Sequence, residues 1–381
     1  MRIGHLSAVS LVIAISLAGC GQKKEATTGP ETILIGSVAP LTGAQSHIGK
    51  DNDNGARLAV DEINNRGLKL AGKPVKLELV SEDDAADPKT ATNVAQKLAD
   101  KGVKAVVGHL NSGTTIPASK IYHDAGIPQI SPSATATAYT AQGYNTAYRV
   151  MANDAQQGKA LGQYAVTKMG AKKIAIVDDR TTYGKGLADE FEKTVNAAGA
   201  TVVAREYTSD KATDFTAILT GIKGKAADLV FFGGMDPQAG PMARQMKRLG
   251  MTAKLLGGDG MQNINFIKLA GPDGEGVVAS SPGLPLDAMP GGADFKKRFE
   301  AKFGPIQLYS PYSYDAVQVL VAAMQRANSA DPAKLLAELP KTDYAGVTGP
   351  LRFDAKGDTV GGSITLYQVK HGAWTALETV K

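Results

Sequence analysis

The chain has one cysteine among its 381 residues, Cys20, and it lies ahead of any patterned segment. No disulfide can therefore close within the folded body, and no thiol nucleophile or thiolate metal ligand is available there. The five histidines, at 5, 47, 109, 123 and 371, show no metal-ligand spacing. Glycine-rich phosphate loops are missing as well. No G-x-G-x-x-G opens the first helix, the run Gly184-Lys185-Gly186-Leu187-Ala188-Asp189 fails at its last position, and neither a Walker sequence nor a G-x-S-x-G elbow occurs. The net charge of +5 is dispersed, without the lysine and arginine block that a nucleic-acid stripe needs. Asp83-Asp84 and Asp178-Asp179 are adjacent acids that could do acid-base work. Both stand at strand exits, where solvated turn acids and helix caps are commoner. The sequence thus points to no metal, no cofactor, no nucleic-acid partner and no catalytic set.

The N-terminus reads as a leader. Met1-Arg2 is a minimal charged start, and 6–17 is an apolar run too short to span a bilayer. It ends Leu17-Ala18-Gly19-Cys20, which resembles the bacterial lipobox, cut before a cysteine that then carries lipid. A plain secretory signal with an incidental cysteine is the alternative. Residues 1–19 are expected to be the lipoprotein signal peptide, and 20–31 the lipidated Cys20 with a polar tether. That makes the protein exported, lipid-anchored and periplasmic or otherwise in the cell envelope.

From Thr32 onward, short apolar strands alternate with helical patterns, an arrangement for which 43 glycines supply turns. The stretch 103–115 is the clearest case. Val103 to Val107 reads as a buried strand, it ends in Asn111-Ser112-Gly113-Thr114-Thr115, and helical spacing follows over 116–125. Free backbone N–H groups at such a helix start, with nearby hydroxyls, make a seat for a small anion. The same strand-to-tip pattern recurs at 131–135, 178–184, 233–237 and 257–260. Alternation at this spacing implies parallel sheets covered on both faces, an α/β fold of two three-layer α/β/α lobes. Right-handed crossovers gather the polar tips on one edge of each sheet, where ligands bind.

Those tips offer a binding inventory. Ser112, Thr114, Ser133 and Thr135 can hold a carboxylate. Asp259, flanked by glycines, can hold an ammonium group, or it can cap a helix over 262–270. Tyr183 on the Thr-Thr-Tyr-Gly tip can cover a ligand or pack at the surface. Tyr309 precedes a helix start at Ser310-Pro311 and can face the gap or fill the core. Met235 and Ile48 offer apolar walls. A zwitterion with an apolar body fits this set.

Four stretches, Gly108 to Ser119, Pro132 to Ala138, Ile174 to Gly184 and Gly349 to Asp358, resemble the periplasmic branched-chain amino-acid-binding proteins of ABC importers. The likeness covers nearly all of the chain beyond the leader. It implies a type I periplasmic binding fold: lobe I from 32–153 plus 283–363, lobe II from 154–282 plus 364–381, with hinge crossings near 152–154, 281–283 and 362–364. It places the family's carboxylate-binding serine on Ser112, aided by Ser133 and Thr135. The covering tyrosine falls on Tyr183, the ammonium acid on Asp259 and the second aromatic on Tyr309. Members commonly carry Glu at Asp259, Tyr at Met235, and Tyr or Trp at Ile48, so this pocket is expected to hold a different or larger side chain. A disulfide common in relatives would link the positions of Ala86 and Asn111 and cannot form here. The resemblance implies a monomer that captures a branched-chain or related apolar amino acid by hinge closure and delivers it to permease subunits. A two-lobed sensor for amino acids, amides or urea-type compounds is the alternative, and no motif separates the two.

Overall fold

The computed structural model describes Met1 and residues 30–381; the leader, Cys20 and most of the tether lie outside the described residues. Burial of strands on both faces governs the architecture. In the strand Ala105–Gly108, Ala105 and Val107 face a layer built on the helices Ser46–Arg66 and Ser310–Ala327. Val106 instead joins Val94, Leu98 and Tyr122 of the opposite layer. The second sheet repeats the pattern. Val230 and Phe232 pack with Leu219, Met242 and Met246, whereas Leu229 and Phe231 pack with Leu161, Leu187 and Phe191. A strand with every residue apolar is thus read by two helix layers at once.

The first sheet has six strands, in the order Leu68–Leu70, Lys73–Asp83, Glu31–Ala39, Ala105–Gly108, Gln129–Ser131 and Ala147–Arg149. All its pairs are parallel except the first. The second has seven, in the order Ala373–Val380, Ile364–Lys370, Val278–Pro282, Lys254–Gly257, Leu229–Gly233, Lys173–Asp178 and Thr201–Tyr207. Its last two strands in sequence are antiparallel additions, joined by a turn in which His371 and Gly372 both have positive φ. Two such residues match the right-handed twist of a tight hairpin.

In each sheet the chain reverses its direction of strand addition beside the first strand. Ala39 with Gly108, and Asp178 with Gly233, therefore end at a switch point that opens a crevice. The two crevices meet. Ala39, Ile48 and Leu110 of the first half share one apolar cluster with Tyr183, Leu187 and Met235 of the second. The stretches expected to cross between halves lie together. Gly283 N donates to Ser363 O at 2.6 Å, and the Cα of Gly362 abuts Ala152 so closely that a Cβ would sit 2.9 Å from Ala152 Cβ. No helix among the described residues is long and apolar enough to cross a membrane.

One local expectation changes. The helix expected over 262–270 divides into a 3-10 turn, Asp259–Met261, and a helix, Ile264–Ala270. Asn263 supplies the cap, accepting from Phe266 N at 3.0 Å. The helix Thr182–Ala197 begins on the 178–184 tip itself, because the Thr181 hydroxyl accepts from Gly184 N. A separate two-stranded ribbon pairs Pro350–Leu351 with Tyr344–Ala345.

Candidate functional site

At the meeting of the crevices is a narrow, half-open space lined by eight residues. Leu110, Asn111, Ser112 and Ser133 line it from the six-stranded half, Tyr183, Met235 and Asp259 from the seven-stranded half, and Tyr309 from the start of the helix Ser310–Ala327. Six of the nine candidate residues are brought together here. Thr114, whose hydroxyl donates to Asn111 O at 3.0 Å, Thr135 and Ile48 are not among the lining.

One side suits an anion. The helix Ser112–Asp124 begins without a side-chain cap from Asn111, and while Thr114 N and Thr115 N donate to Asn111 O, the N–H groups of Ser112 and Gly113 have no such partner. Ser112 Oγ accepts from Ala136 N at 3.1 Å and keeps its own proton free to donate. Ser133 differs. Its hydroxyl donates to Leu110 O at 3.1 Å and accepts from Asn52 Nδ2 at 3.0 Å, so it shapes the wall and has no free proton to offer. Thr135 is turned away; its carbonyl accepts from Asp154 N at 2.8 Å and the residue is fully buried. The loop carrying these residues is tied down by Arg149, fully buried, which donates to Ala134 O, Ala136 O and Thr140 Oγ1 and pairs with Asp358 at 2.6 Å.

The other side suits a cation. With Asn263 capping the next helix, the Asp259 carboxylate faces the cavity. Its Oδ1 accepts from Tyr183 Oη at 2.7 Å and Gln157 Nε2 at 3.0 Å, and its Oδ2 from Tyr309 Oη at 2.6 Å. Burial pushes this carboxyl above its ordinary range, and the three hydrogen bonds pull it back. The same burial, with the acid alongside, holds Tyr183 and Tyr309 neutral as donors. No Lys or Arg among the described residues contacts Asp259.

Two supports were not foreseen. Gln157 grips the turn from both ends: besides donating to Asp259, its Oε1 accepts from Asp259 N at 3.0 Å and from Ser280 Oγ at 2.5 Å. Asp51 accepts from the backbone N–H groups of Gln307, Leu308, Tyr309 and Ser310 at 2.8–3.1 Å and thereby aims Tyr309. The available signal was the polar run Asp51-Asn52-Asp53 on a helix face; all three are buried. Nothing in the sequence marks Gln157.

Met235 forms part of the apolar wall, while Ile48 backs it from the cluster behind Leu110 and Tyr183. Ile48 is displaced from the lining because it sits on the helix Ser46–Arg66, one layer out from the strand tips. The adjacent acids have local work. Asp83 accepts from Leu41 N and Thr42 Oγ1, Asp178 pairs with Arg205, and Asp179 Oδ1 caps Thr181. Asp84 meets His109 Nδ1 at 2.8 Å, with Tyr122 on the other ring nitrogen, joining the loops that carry Ala86 and Asn111.

Comparison with known proteins matches residues 32–373 to the model of a family described as periplasmic binding protein. A "Leu/Ile/Val-binding protein homolog 1" of Brucella melitensis biotype 1 is 37% identical over 98% of this chain and 98% of its own. A leucine-, isoleucine-, valine-, threonine- and alanine-binding protein of Pseudomonas aeruginosa is 34% identical over 97% of each chain. Among solved structures, the branched-chain amino acid transporter substrate-binding protein LivJ of Streptococcus pneumoniae, in complex with isoleucine, superposes with a TM-score of 0.84 at 30% identity. That alignment covers 92% of this chain and all of the other.

Proposed function

The chain belongs to the periplasmic binding protein family, and on that premise we propose that it captures an apolar amino acid of the branched-chain type and passes it to an ABC permease. One observation carries the reading. The space between the halves has an uncapped helix start with the Ser112 hydroxyl on one wall and the Asp259 carboxylate, with no basic partner among the described residues, on another. An α-carboxylate and an α-ammonium complement those walls, and Met235 with Leu110 leaves an apolar remainder for the side chain. Charge-assisted hydrogen bonds at both ends fix the orientation. The ligand leaves unchanged; no turnover belongs to this reading.

The two halves act as lobes, 32–153 plus 283–363 and 154–282 plus 364–381, that hinge at the three crossings. A ligand seated on the first lobe completes its contacts only when the second closes, so it favours the closed form by differential affinity. Cys20 carries a lipid after removal of residues 1–19, tethering a monomer at the membrane face of the periplasm. Substrate-binding relatives at 34–37% identity over nearly the whole chain support the transport assignment.

The test is a thermal-shift screen of ligand-stripped, refolded protein against the twenty amino acids, several amides and urea. A ligand present at a hundred times its Kd adds about 2.7 kcal/mol to folded-state stability. Shifts with leucine, isoleucine or valine are expected. Response to amides or urea alone would overturn the ammonium pairing and with it the ligand class.

A further inference from the structure

A second half-open space, of about 350 Å³, adjoins the first between the two halves, and Asn111, Tyr183 and Met235 border both. Met235 is unbranched and flexible. Beyond the shared residues the outer walls are polar, with Gln45 from the six-stranded half and Asp179, Thr181 and Ser209 among those from the seven-stranded half. Two wall residues carry a covered oxygen without a donor. Asn111 Nδ2 donates to Gln45 Oε1 at 2.7 Å, and its Oδ1 accepts nothing. Asp179 is 2% exposed; its Oδ1 accepts from Thr181 N at 2.9 Å and from the Thr181 hydroxyl at 2.6 Å, while its Oδ2 has no donor. That oxygen lies beside Gly234, the residue before Met235, where a Cβ would stand 3.0 Å from it. The adjacent Arg180 is engaged elsewhere, its guanidinium stacked 3.3 Å from the centre of the Tyr207 ring. Burial pushes the Asp179 carboxyl up to about 6, which leaves it ionised at neutral pH. Buried acceptors are nearly always paired, so two that border one opening and lack donors mark a place for a donor from outside.

We propose that the outer space receives the end of the ligand's side chain, and that the end it takes carries N–H donors, as the carboxamide of glutamine, the guanidinium of arginine and the ammonium of lysine do. The α-carboxylate and α-ammonium stay on Ser112 and Asp259. The methylene stem passes Tyr183 and Met235, with the flexible Met235 giving way, and the terminal N–H groups donate to Asp179 Oδ2 and Asn111 Oδ1. Leucine satisfies neither oxygen. Glutamate brings acceptors to acceptors and is disfavoured, because a site with buried hydrogen-bonding groups discriminates against analogues that leave them unpaired. The inference rests on the amino-acid reading above for the main-chain ends and extends it at the side chain, from apolar residues to longer ones that end in a donor.

The experiment is calorimetric titration of the ligand-stripped, full-length protein at pH 7 with leucine, norleucine, glutamine, glutamate, arginine and lysine. Norleucine supplies an unbranched chain without a donor, and glutamate differs from glutamine only in an oxygen where the amide nitrogen stands. At least one of glutamine, arginine and lysine is expected to bind as tightly as norleucine or tighter, and at least about tenfold more tightly than glutamate. The tightest of the three identifies the donor group. Asp179→Asn keeps an oxygen for Thr181 and puts an amide nitrogen in place of Oδ2. It should weaken that ligand at least about tenfold more than it weakens norleucine, and equal losses would overturn the role of Asp179. Leucine binding with all three donor-ended ligands weaker than norleucine would overturn the outer site while leaving the amino-acid reading intact. Absence of binding by all six would remove both. The wild-type comparison needs no variant and decides the matter even where Asp179→Asn folds poorly.

Discussion

Tyr309, carried by the six-stranded half, donates its hydroxyl proton to Asp259 Oδ2 of the seven-stranded half at 2.6 Å. This bond links the halves directly, at the floor of the site. An ionised carboxylate offers about four acceptor positions, and Tyr183, Gln157 and Tyr309 occupy three of those on Asp259. One is left for a ligand. Tyr309→Phe should weaken leucine binding by about ten- to a hundredfold, the range for a lost hydrogen bond to a charged group. Calorimetry at neutral pH checks it, and unchanged affinity would place Tyr309 outside the energetics of closure.

Asp259→Ala removes the acid itself. An ammonium buried without its partner costs about 3 kcal/mol or more, so affinity should fall at least roughly a hundredfold. Near-normal leucine binding by this variant would exclude Asp259 from the ammonium end.

Gly258 provides a test by crowding. A Cβ at this position would collide with Leu187 Cδ2 and lie 2.6 Å from Tyr183 Oη. Gly258→Ala must therefore push Tyr183 off Asp259, at a cost of about 1–3 kcal/mol. The measurable outcome is a leucine Kd raised by about tenfold or more; wild-type affinity would mean that the Tyr183 contact contributes nothing.

Asp51 is remote from the ligand yet positions Tyr309 through four backbone N–H groups. Asp51→Asn replaces one of its acceptor oxygens by a donor that faces N–H. Stability should drop by about 2–4 kcal/mol, read as a lower urea midpoint, and leucine binding should weaken with it. A midpoint equal to that of the wild type would show that the 307–310 turn holds itself.

Asp154 has a consequence for stability in the absence of ligand. Its carboxyl titrates near 8 when folded, against an ordinary value of 3.8. Between those values the folded state binds more protons than the unfolded one, so this residue lowers stability as pH rises from about 4 towards 8. Asp154→Asn removes that slope. Ligand-free melts should show the variant gaining on the wild type between pH 5 and pH 8, and a constant difference across that range would contradict the shift.

The sequence made the scaffold readable because buried parallel strands leave a strong trace. Val106 and Val107 are both apolar because different helix layers face them. The polar tips that follow such strands have to gather on one edge, and Ser112, Tyr183 and Met235 do share a cavity. Side-chain direction was less readable. Ser133 and Thr135 are alike in the sequence, yet the first lines the cavity and the second is turned towards Asp154. Asp259 had two available roles, and the contest was decided by Asn263 four residues on, which took the cap. Gln157 acts on a residue 102 positions away, a relation that no local pattern encodes.

An importer loses throughput whenever an unloaded binding protein occupies the permease, because each such encounter displaces a loaded one. The three donors that converge on Asp259 would by themselves let the halves latch around nothing. The charge on Asp259 works against this: closing a buried carboxylate away from water with no cation against it is unfavourable, and the penalty is relieved when cargo supplies the ammonium. An empty carrier therefore gains less from closing than a filled one does, and traffic at the membrane is biased towards filled carriers.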